Sequence, residues 1–249
     1  MLVVSQSASY SPDVVATGIE DYQSVKDLWT ILNHREVLHN STEFVASQLV
    51  WSCRAPLVSP YLVRQTSALL KAGLNKHVPI SKGKTIAYMT RSNTHTRNDG
   101  RRVLNEAALL AAIRQLLHDR GQGETLLVFN HDDYSDMSSL IHYFHHHVKA
   151  VIGPHGGAIY HHRWCDVDTL VLELQPSTRE RIVFYETVRL LDQQYATLML
   201  DAVSDDSTDM HADVPAVIEI LEGHLGQPVA DQEKVRLHYS WEAEELGVF

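Results

Sequence analysis

The chain has 249 residues, of which 44% are hydrophobic and 21% charged, a composition typical of a globular protein with a buried core. Its formal charge of −10 argues against nucleic acid or an anionic membrane surface as a partner, because both are bound through basic surfaces. The cysteine content excludes a disulfide scaffold; Cys53 and Cys165 are expected to be buried thiols, with one bridge as the alternative in a lumenal compartment. The sequence shows neither a signal-peptide pattern nor a run of about 18 apolar residues, so no membrane span is expected.

The first part of the chain, residues 1–82, has a mixed and irregular pattern. Apolar periodicity predicts helices over 22–36 and 60–71, and a short apolar run predicts a strand over 44–51. After Gly83 the pattern changes to short apolar strands that alternate with longer amphipathic segments. We therefore place a domain boundary between residues 82 and 83.

Residues 83–226 are predicted to form an α/β domain of Rossmann-like type, in which helices cover both faces of a parallel sheet. The predicted strands are 85–89, 125–129, 150–152, 170–174 and 197–200. The predicted helices begin near Asn105, after a cap at Asp132, Asp133 or Ser135, near Gly156, near Ser177 or Thr178, and at Val214. Residues 227–249, which include Trp241 and several acids, are predicted to be a C-terminal tail.

Three polar segments directly follow predicted strands. Arg91 lies just past the first strand, residues 153–157 lie just past the third, and Gln175 lies just past the fourth. The carboxyl ends of parallel strands meet at one edge of a sheet, and ligands of open α/β sheets bind there. The sequence therefore predicts a single ligand site that all three segments line.

The turn over residues 153–157, with the sequence GPHGG, favours a phosphate ligand. Glycines let a backbone approach a ligand closely, and the first N–H groups of a following helix attract an anion. The same residues also suit a tight strand-to-helix turn that binds nothing. The turn lacks both the G-x-G-x-x-G spacing of dinucleotide-binding proteins and the Gly-Lys-Ser/Thr of a P-loop, which argues against NAD binding and ATP hydrolysis.

A basic cluster upstream contains four arginines within twelve positions: Arg91, Arg97, Arg101 and Arg102. Cations just before the helix that begins near Asn105 oppose the helix dipole, and a bound diphosphate would compensate for them. A solvated helix start is the alternative interpretation. Much of the negative charge is expected elsewhere, notably at Asp205, Asp206 and Asp209.

Three segments resemble, in order and spacing, the motifs of the family 61 glycosyltransferases: RRVLNE at 101–106, AVIGPHGGAIY at 150–160 and TLVLEL at 169–174. Members of this family typically show an Arg-x-hydrophobic-hydrophobic-Asn-Glu segment, a Gly-x-His-Gly-Ala-Gly turn and a hydrophobic-hydrophobic-Glu strand. They include plant xylan arabinosyl- and xylosyltransferases and animal enzymes that add O-linked N-acetylglucosamine in the secretory pathway. The resemblance covers about residues 84–200.

The resemblance implies a GT-B fold, with 83–226 as the Rossmann-like lobe that binds the nucleotide sugar and 1–82 as a partial lobe on the acceptor side. It also implies inverting transfer of xylose, arabinose or N-acetylglucosamine from a UDP-sugar to a hydroxyl of a glycan or glycoprotein. No metal or other cofactor is obligatory in that reaction. The residues implied for binding the nucleotide sugar are Arg91, Arg101, Asn105, Glu106, Gly153, His155, Gly156, Gly157 and Glu173.

Within that set the resemblance implies separate roles. The two arginines would neutralise the diphosphate, and the asparagine and glutamate near them would shape that wall of the site. His155 would hold the leaving phosphate together with the amides of the two glycines that follow it. His155 is also a candidate for the base that deprotonates the acceptor, with an acid from the first lobe as the alternative. Glu173 would either reach the ribose or base side of the nucleotide or only order the rim.

The chain departs from the family pattern at two positions in the turn. The family's Ala-Gly is Gly157-Ala158 here, and its common Asn a few residues later is His161. The membrane anchor that is usual in the family is also missing, so we expect either a fragment or a shortened protein that has lost acceptor binding. If the source is eukaryotic, the resemblance implies the secretory pathway. A relic that binds a nucleotide or glycan without turnover is an alternative function.

A metal-dependent hydrolase is the second alternative, because three histidines have i, i+3, i+4 spacing: His142, His145 and His146. However, Ile141 and Phe144 are predicted to form the buried stripe of that helix. This would leave the histidines on the solvated side, and no metal site is predicted.

Overall fold

The computed structural model describes residues 15–17, 22–34, 37–39, 60–74, 83–92, 100–178, 181–204, 207–231 and 234. The predicted strand over 44–51, Cys53, Arg97, Asp205, Asp206 and Trp241 lie outside the described residues. The chain divides into two compact units. The first comprises 1–78, 134–142 and 236–249, and the second comprises 79–133 and 143–235.

Among its described residues, the first unit contains a small parallel sheet and two complete helices. Its elements are β1 (Val15–Thr17), α1 (Gln23–Ile31), β2 (Val37–His39) and α2 (Pro60–Gly73). Both predicted helices are confirmed, but α1 ends earlier than predicted because the chain turns at Asn33, whose φ of 64° lies in the left-handed region. The β1 and β2 pair was not predicted, since strands of three residues are too short to show alternation.

The second unit is built on a five-stranded parallel sheet, and all five strands predicted for it are confirmed. The strands are β3 (Thr85–Tyr88), β4 (Thr125–Val128), β5 (Val148–Pro154), β6 (Leu170–Pro176) and β7 (Gln194–Leu200). They lie side by side in the order β4-β3-β5-β6-β7. The predicted Rossmann-like α/β class therefore holds for this unit.

Helices follow the strands as expected, with two corrections. The helices are α3 (Glu106–Arg120), α4 (Met137–His147), α5 (Val183–Leu190) and α6 (Val214–His224). The helix predicted from Ser177 or Thr178 begins only at Val183, because the amide of Gln175 bonds both the N–H and the C=O of Arg181, two residues before that helix.

The helix predicted from Gly156 is a 3₁₀ helix over Gly157–Trp164 rather than an α-helix. Three fully buried residues explain the tighter winding: Ile159, His162 and Cys165. They are spaced three apart, and a 3₁₀ helix places such positions on one face. The burial of Cys165 as a thiol agrees with the prediction.

Apolar packing covers both faces of the sheet. On one face α3 and α6 form a core with alternate strand residues such as Ile86, Ile152 and Leu172. The 3₁₀ helix packs with α5 and contacts β5 and β6. Phe184 of α5 is buried beside His155, on the side of β6 that carries Glu173 rather than Leu172.

The order of the strands reverses between β3 and β5. The chain passes from β3 outward to β4, returns across β3 to β5, and then continues in the opposite direction through β6 and β7. Open α/β sheets bind ligands in the crevice at the carboxyl end of such a switch point. The segments that flank this crevice are those after β3 and β5, which contain Arg91 and the 153–157 turn.

Candidate active site

The turn after β5 begins with a close approach of two backbones. A Cβ atom added to Gly153 would lie 2.7 Å from the carbonyl oxygen of Met89 and 2.9 Å from its Cβ. A side chain at this position would therefore push β3 and β5 apart. Gly153 lets the segment after β3 lie directly against the turn.

Arg91 lies against the same turn. A Cβ added to Gly156 would be 2.6 Å from Nη1 of Arg91 and 3.8 Å from its Cζ, so the guanidinium occupies the space that a side chain would fill. The Nε of Arg91 donates to the carbonyl oxygen of Gly100 at 2.9 Å, which fixes the direction of the side chain. The structure thus brings together Arg91 and the 153–157 turn, the first two of the three polar segments that the sequence placed on one edge.

Arg101 belongs to the same electrostatic group. Burial lowers the pKa of Arg91, the positive charge of Arg101 lowers it further, and Asp209 partly opposes both effects. Arg101 is buried, and its backbone has a φ of 61°, in the left-handed region that a residue with a side chain rarely adopts. Such a conformation persists only where the surrounding structure enforces it, and it is common at ligand-binding sites.

The segment that holds Arg101 in place comes from far along the chain. Thr208 accepts a hydrogen bond from the Arg101 N–H at 3.1 Å, and Asp209 accepts one from the Arg102 N–H at 2.9 Å. Asp209 also binds the Arg102 guanidinium through Nε at 3.0 Å and Nη2 at 2.6 Å. We call Thr208 and Asp209 the arginine clasp.

The clasp corrects one expectation from the sequence. Asp209 was expected to lie away from the basic cluster, but it contacts Arg102 directly, and these hydrogen bonds lower the pKa of its carboxyl. Sequence patterns could not signal this contact, because 107 positions separate the two residues. One of the arginines is thereby neutralised within the protein.

Asn105 and Glu106 support the floor of the basic cluster. Asn105 donates to the Ala212 carbonyl at 2.9 Å and accepts from the Ala212 N–H at 2.8 Å, which ties the start of α3 to the segment before α6. Glu106 accepts hydrogen bonds from Tyr88 at 3.1 Å and from Thr90 at 2.9 Å. Both side chains are therefore engaged in hydrogen bonds within the protein.

His155 is paired with a buried acid. Its Nδ1 hydrogen-bonds Oε1 of Glu173, a residue of β6 whose side chain has no exposed surface. Glu173 also accepts from Nε2 of Gln175 at 3.1 Å and from the hydroxyl of Tyr195 at 2.5 Å. The sequence predicted His155 and Glu173 for the site but gave no sign of their pairing or of Tyr195.

Aromatic side chains surround His155. The ring of Phe184 is edge-on to the imidazole, with the two centroids 5.2 Å apart, and Tyr160 packs on Phe184 at 4.7 Å. Tyr160 is 37% exposed and has the guanidinium of Arg163 over its ring at 4.5 Å. The imidazole is therefore held between an apolar ring on one side and a buried carboxylate on another.

His161, at the position of the family's asparagine, packs into an aromatic cluster. Its ring contacts Phe129 at 5.2 Å, Phe144 at 5.4 Å and His131 at 5.7 Å between centroids. Burial, with the nearby His131 and His162, lowers the pKa of His161 to about 3, so that the ring is neutral at physiological pH.

The three histidines of α4 do not all lie on a solvated face. His146 is buried, so that part of the prediction is wrong, whereas the predicted burial of Ile141 and Phe144 is confirmed. Among the described residues, no three His, Cys, Asp or Glu side chains are close enough together to hold a metal ion. No described helix is both long and apolar enough to cross a membrane.

The fold and the site define an α/β protein of Rossmann-like type, with two arginines and a glycine-rich turn at the switch point of its sheet. The chain belongs to glycosyltransferase family 61, which it matches over residues 4–172, more than half of its length. Membership implies glycosyltransferase activity, with a nucleotide sugar and an acceptor as substrates. No curated protein matches the chain.

The family match and the motif resemblance cover different ranges. The match starts at residue 4, well before the first motif, and ends at residue 172 within β6. Several of the residues that organise the site therefore lie beyond the matched range: Glu173, Gln175, Tyr195, Thr208 and Asp209.

Proposed function

We propose that this chain is an inverting glycosyltransferase that moves xylose, arabinose or N-acetylglucosamine from a UDP-sugar to a hydroxyl of a glycan or glycoprotein. The observation that carries the proposal is the contact of the Arg91 guanidinium with Gly156 at the switch point. This contact joins a planar cation to a turn that leads into a helix, and the first N–H groups of a helix have no partner within it. A diphosphate is the ligand that suits both.

The charge on the two arginines supports a dianionic ligand. The fold holds Arg91 and Arg101 near enough to lower the pKa of Arg91, although like charges repel. A diphosphate between them removes this repulsion and gains charge-assisted hydrogen bonds from each guanidinium. The buried position of Arg101 strengthens the effect, because electrostatic interactions are larger where water is excluded.

The same groups would stabilise the transition state. As the bond from the sugar to the diphosphate breaks, negative charge grows on the departing oxygen, and donors fixed in advance lower the barrier. The arginines, with the amides of Gly156 and Gly157, supply this compensation, and we propose that the reaction needs no metal ion. We also propose a GT-B arrangement with 83–226 as the lobe that binds the nucleotide.

The proposal is tested first by calorimetry with UDP. UDP-xylose, UDP-arabinose and UDP-N-acetylglucosamine are then screened for protection against thermal unfolding. A donor at 100 times its dissociation constant adds about 2.7 kcal/mol to the free energy of unfolding. The UDP-sugar that protects the chain is then offered as a substrate, and the release of UDP is measured with a metal chelator present. UDP binding without release would favour the nucleotide-binding relic, and absence of UDP binding would refute the donor site.

A further inference from the structure

Glu173 lies where it cannot contact a ligand in the crevice. Its side chain has no exposed surface, and it accepts hydrogen bonds from three donors: His155 Nδ1, Gln175 Nε2 and the Tyr195 hydroxyl. A buried carboxylate is tolerated when its oxygens are satisfied by such donors. Any influence of Glu173 on a bound substrate must therefore pass through one of these partners.

The two supporting donors, Gln175 and Tyr195, both bind one oxygen of the Glu173 carboxylate and leave the other oxygen to His155. The amide of Gln175 is oriented by Arg181, because its Oε1 accepts from the Arg181 N–H at 2.7 Å and its Nε2 donates to the Arg181 carbonyl at 2.8 Å. Burial, together with Glu173, raises the pKa of Tyr195, so its hydroxyl stays protonated as a donor. Both donors bind Oε2, and Oε1 receives His155.

This arrangement determines where His155 carries its proton. An ionised carboxylate only accepts, so Nδ1 must be the protonated nitrogen, and in the neutral imidazole Nε2 then has the lone pair. Nε2 makes no hydrogen bond within the described residues, and the His155 side chain keeps 15% of its surface exposed. Phe184 packs edge-on against the ring and limits its rotation.

We infer that Glu173, Gln175 and Tyr195 are positioning residues that make Nε2 of His155 the catalytic base. This inference rests on the proposed function. The lone pair on Nε2 takes the proton of the acceptor hydroxyl while the acceptor oxygen bonds to the anomeric carbon. The bond from that carbon to the diphosphate breaks, and UDP leaves with the electron pair. The imidazolium formed on His155 is stabilised by Glu173 and later returns its proton to water.

The variant Glu173→Gln gives a specific expectation. Gln175 and Tyr195 both donate to the oxygen at Oε2, so the amide of the variant must place its carbonyl there and turn its NH₂ group toward Nδ1 of His155. Nδ1 then becomes an acceptor, and the proton moves to Nε2, which can no longer act as a base. A wrong tautomer of this kind costs about 10⁴-fold in serine proteases.

The test combines long-range ¹H–¹⁵N spectra of the histidine rings with calorimetry and a UDP-release assay. The His155 signals are assigned from their loss in His155→Asn. We expect the wild-type chain to show Nδ1 protonated, and Glu173→Gln to show Nε2 protonated, UDP affinity within threefold of wild type and release slower by 10³-fold or more. Glu124→Gln, which alters another buried carboxylate outside the site, should change none of these readouts.

Two results overturn the inference. One is a wild-type spectrum with the proton of neutral His155 on Nε2, which needs no variant to fold. The other is a Glu173→Gln chain that binds UDP at least tenfold more weakly but, when saturated with the UDP-sugar, forms free UDP at the wild-type rate. Glu173 would then be a residue that contacts the nucleotide sugar directly. The spectrum is recorded on the resting protein, so a chain that binds no UDP would refute the proposed function without changing the result for the tautomer.

Discussion

The space between Gly156 and Arg91 provides the sharpest test of the donor site. In Gly156→Ala the new Cβ would lie 2.6 Å from Nη1 of Arg91, and ordinary contact begins at 3.4 Å, so the guanidinium must move by about 0.8 Å. The backbone at Gly156 is extended, with a φ of 175°, and adds no strain of its own. Only the far end of a flexible side chain has to move, so we expect the free energy of unfolding to change by less than about 1 kcal/mol.

Ligand binding should respond far more strongly than stability. A charge-assisted hydrogen bond is worth about 1.5–3 kcal/mol, and losing one through this displacement would weaken UDP binding by about 10- to 150-fold. Gly223→Ala in α6, outside the site, adds the same methyl group where nothing lies within 4 Å, and should leave UDP binding unchanged. Calorimetry with UDP on both variants is the measurement. Wild-type affinity in Gly156→Ala, or equal losses in the two variants, would refute the placement of the diphosphate.

Three further changes probe the surroundings of the site. Asp209→Asn should lower the free energy of unfolding by about 1–2 kcal/mol in denaturant titrations and weaken UDP binding, because the backbone around Arg101 loses its anchor. The lowered pKa of Asp209 means that its contribution is present above the unfolded value of 3.8 and is lost as the pH falls through the folded value, which thermal melts across pH 2 to 6 would show. Glu124→Gln removes the buried partner of Lys149 and should cost about 2–4 kcal/mol in the same titrations with UDP affinity unchanged; an unchanged midpoint would contradict this. Asn105→Ala removes two hydrogen bonds and should cost about 1–3 kcal/mol, and a loss of UDP affinity with no loss of stability would instead make Asn105 a direct ligand.

Apolar periodicity, and the alternation of short strands with amphipathic segments, carried most of the information that the sequence alone could provide. Each strand of the large sheet contains a short apolar run that can be recognised without knowledge of the neighbouring strands. Because the strands are parallel, the positions just past them could be assigned to one edge of the sheet. The 3₁₀ helix after Gly156 was harder to predict from the sequence. Its repeat of three residues per turn is close to the 3.6 residues per turn of an α-helix when only one turn is compared.

The motifs also identified the family before any contact was known. Glycines, arginines and a histidine at fixed spacing are local features, and the match over residues 4–172 bears out the resemblance that they suggested. Beyond the family, these motifs predicted a type of ligand site and the edge of the sheet on which it lies. That information is local because the turn and the strand that precedes it are continuous in the chain.

Only the tertiary structure decided which side chains complete the site. Asp209 meets Arg102 across 107 positions, and Tyr195 reaches Glu173 across 22, so neither contact leaves a periodic trace in the sequence. The sequence left Glu173 either as a residue that reaches the ribose or base side of the nucleotide or as one that only orders the rim. Its complete burial and its bond to His155 follow from the register of β5 against β6. Strand register and loop closure bring distant residues together through packing of the whole sheet, and no short segment contains that information.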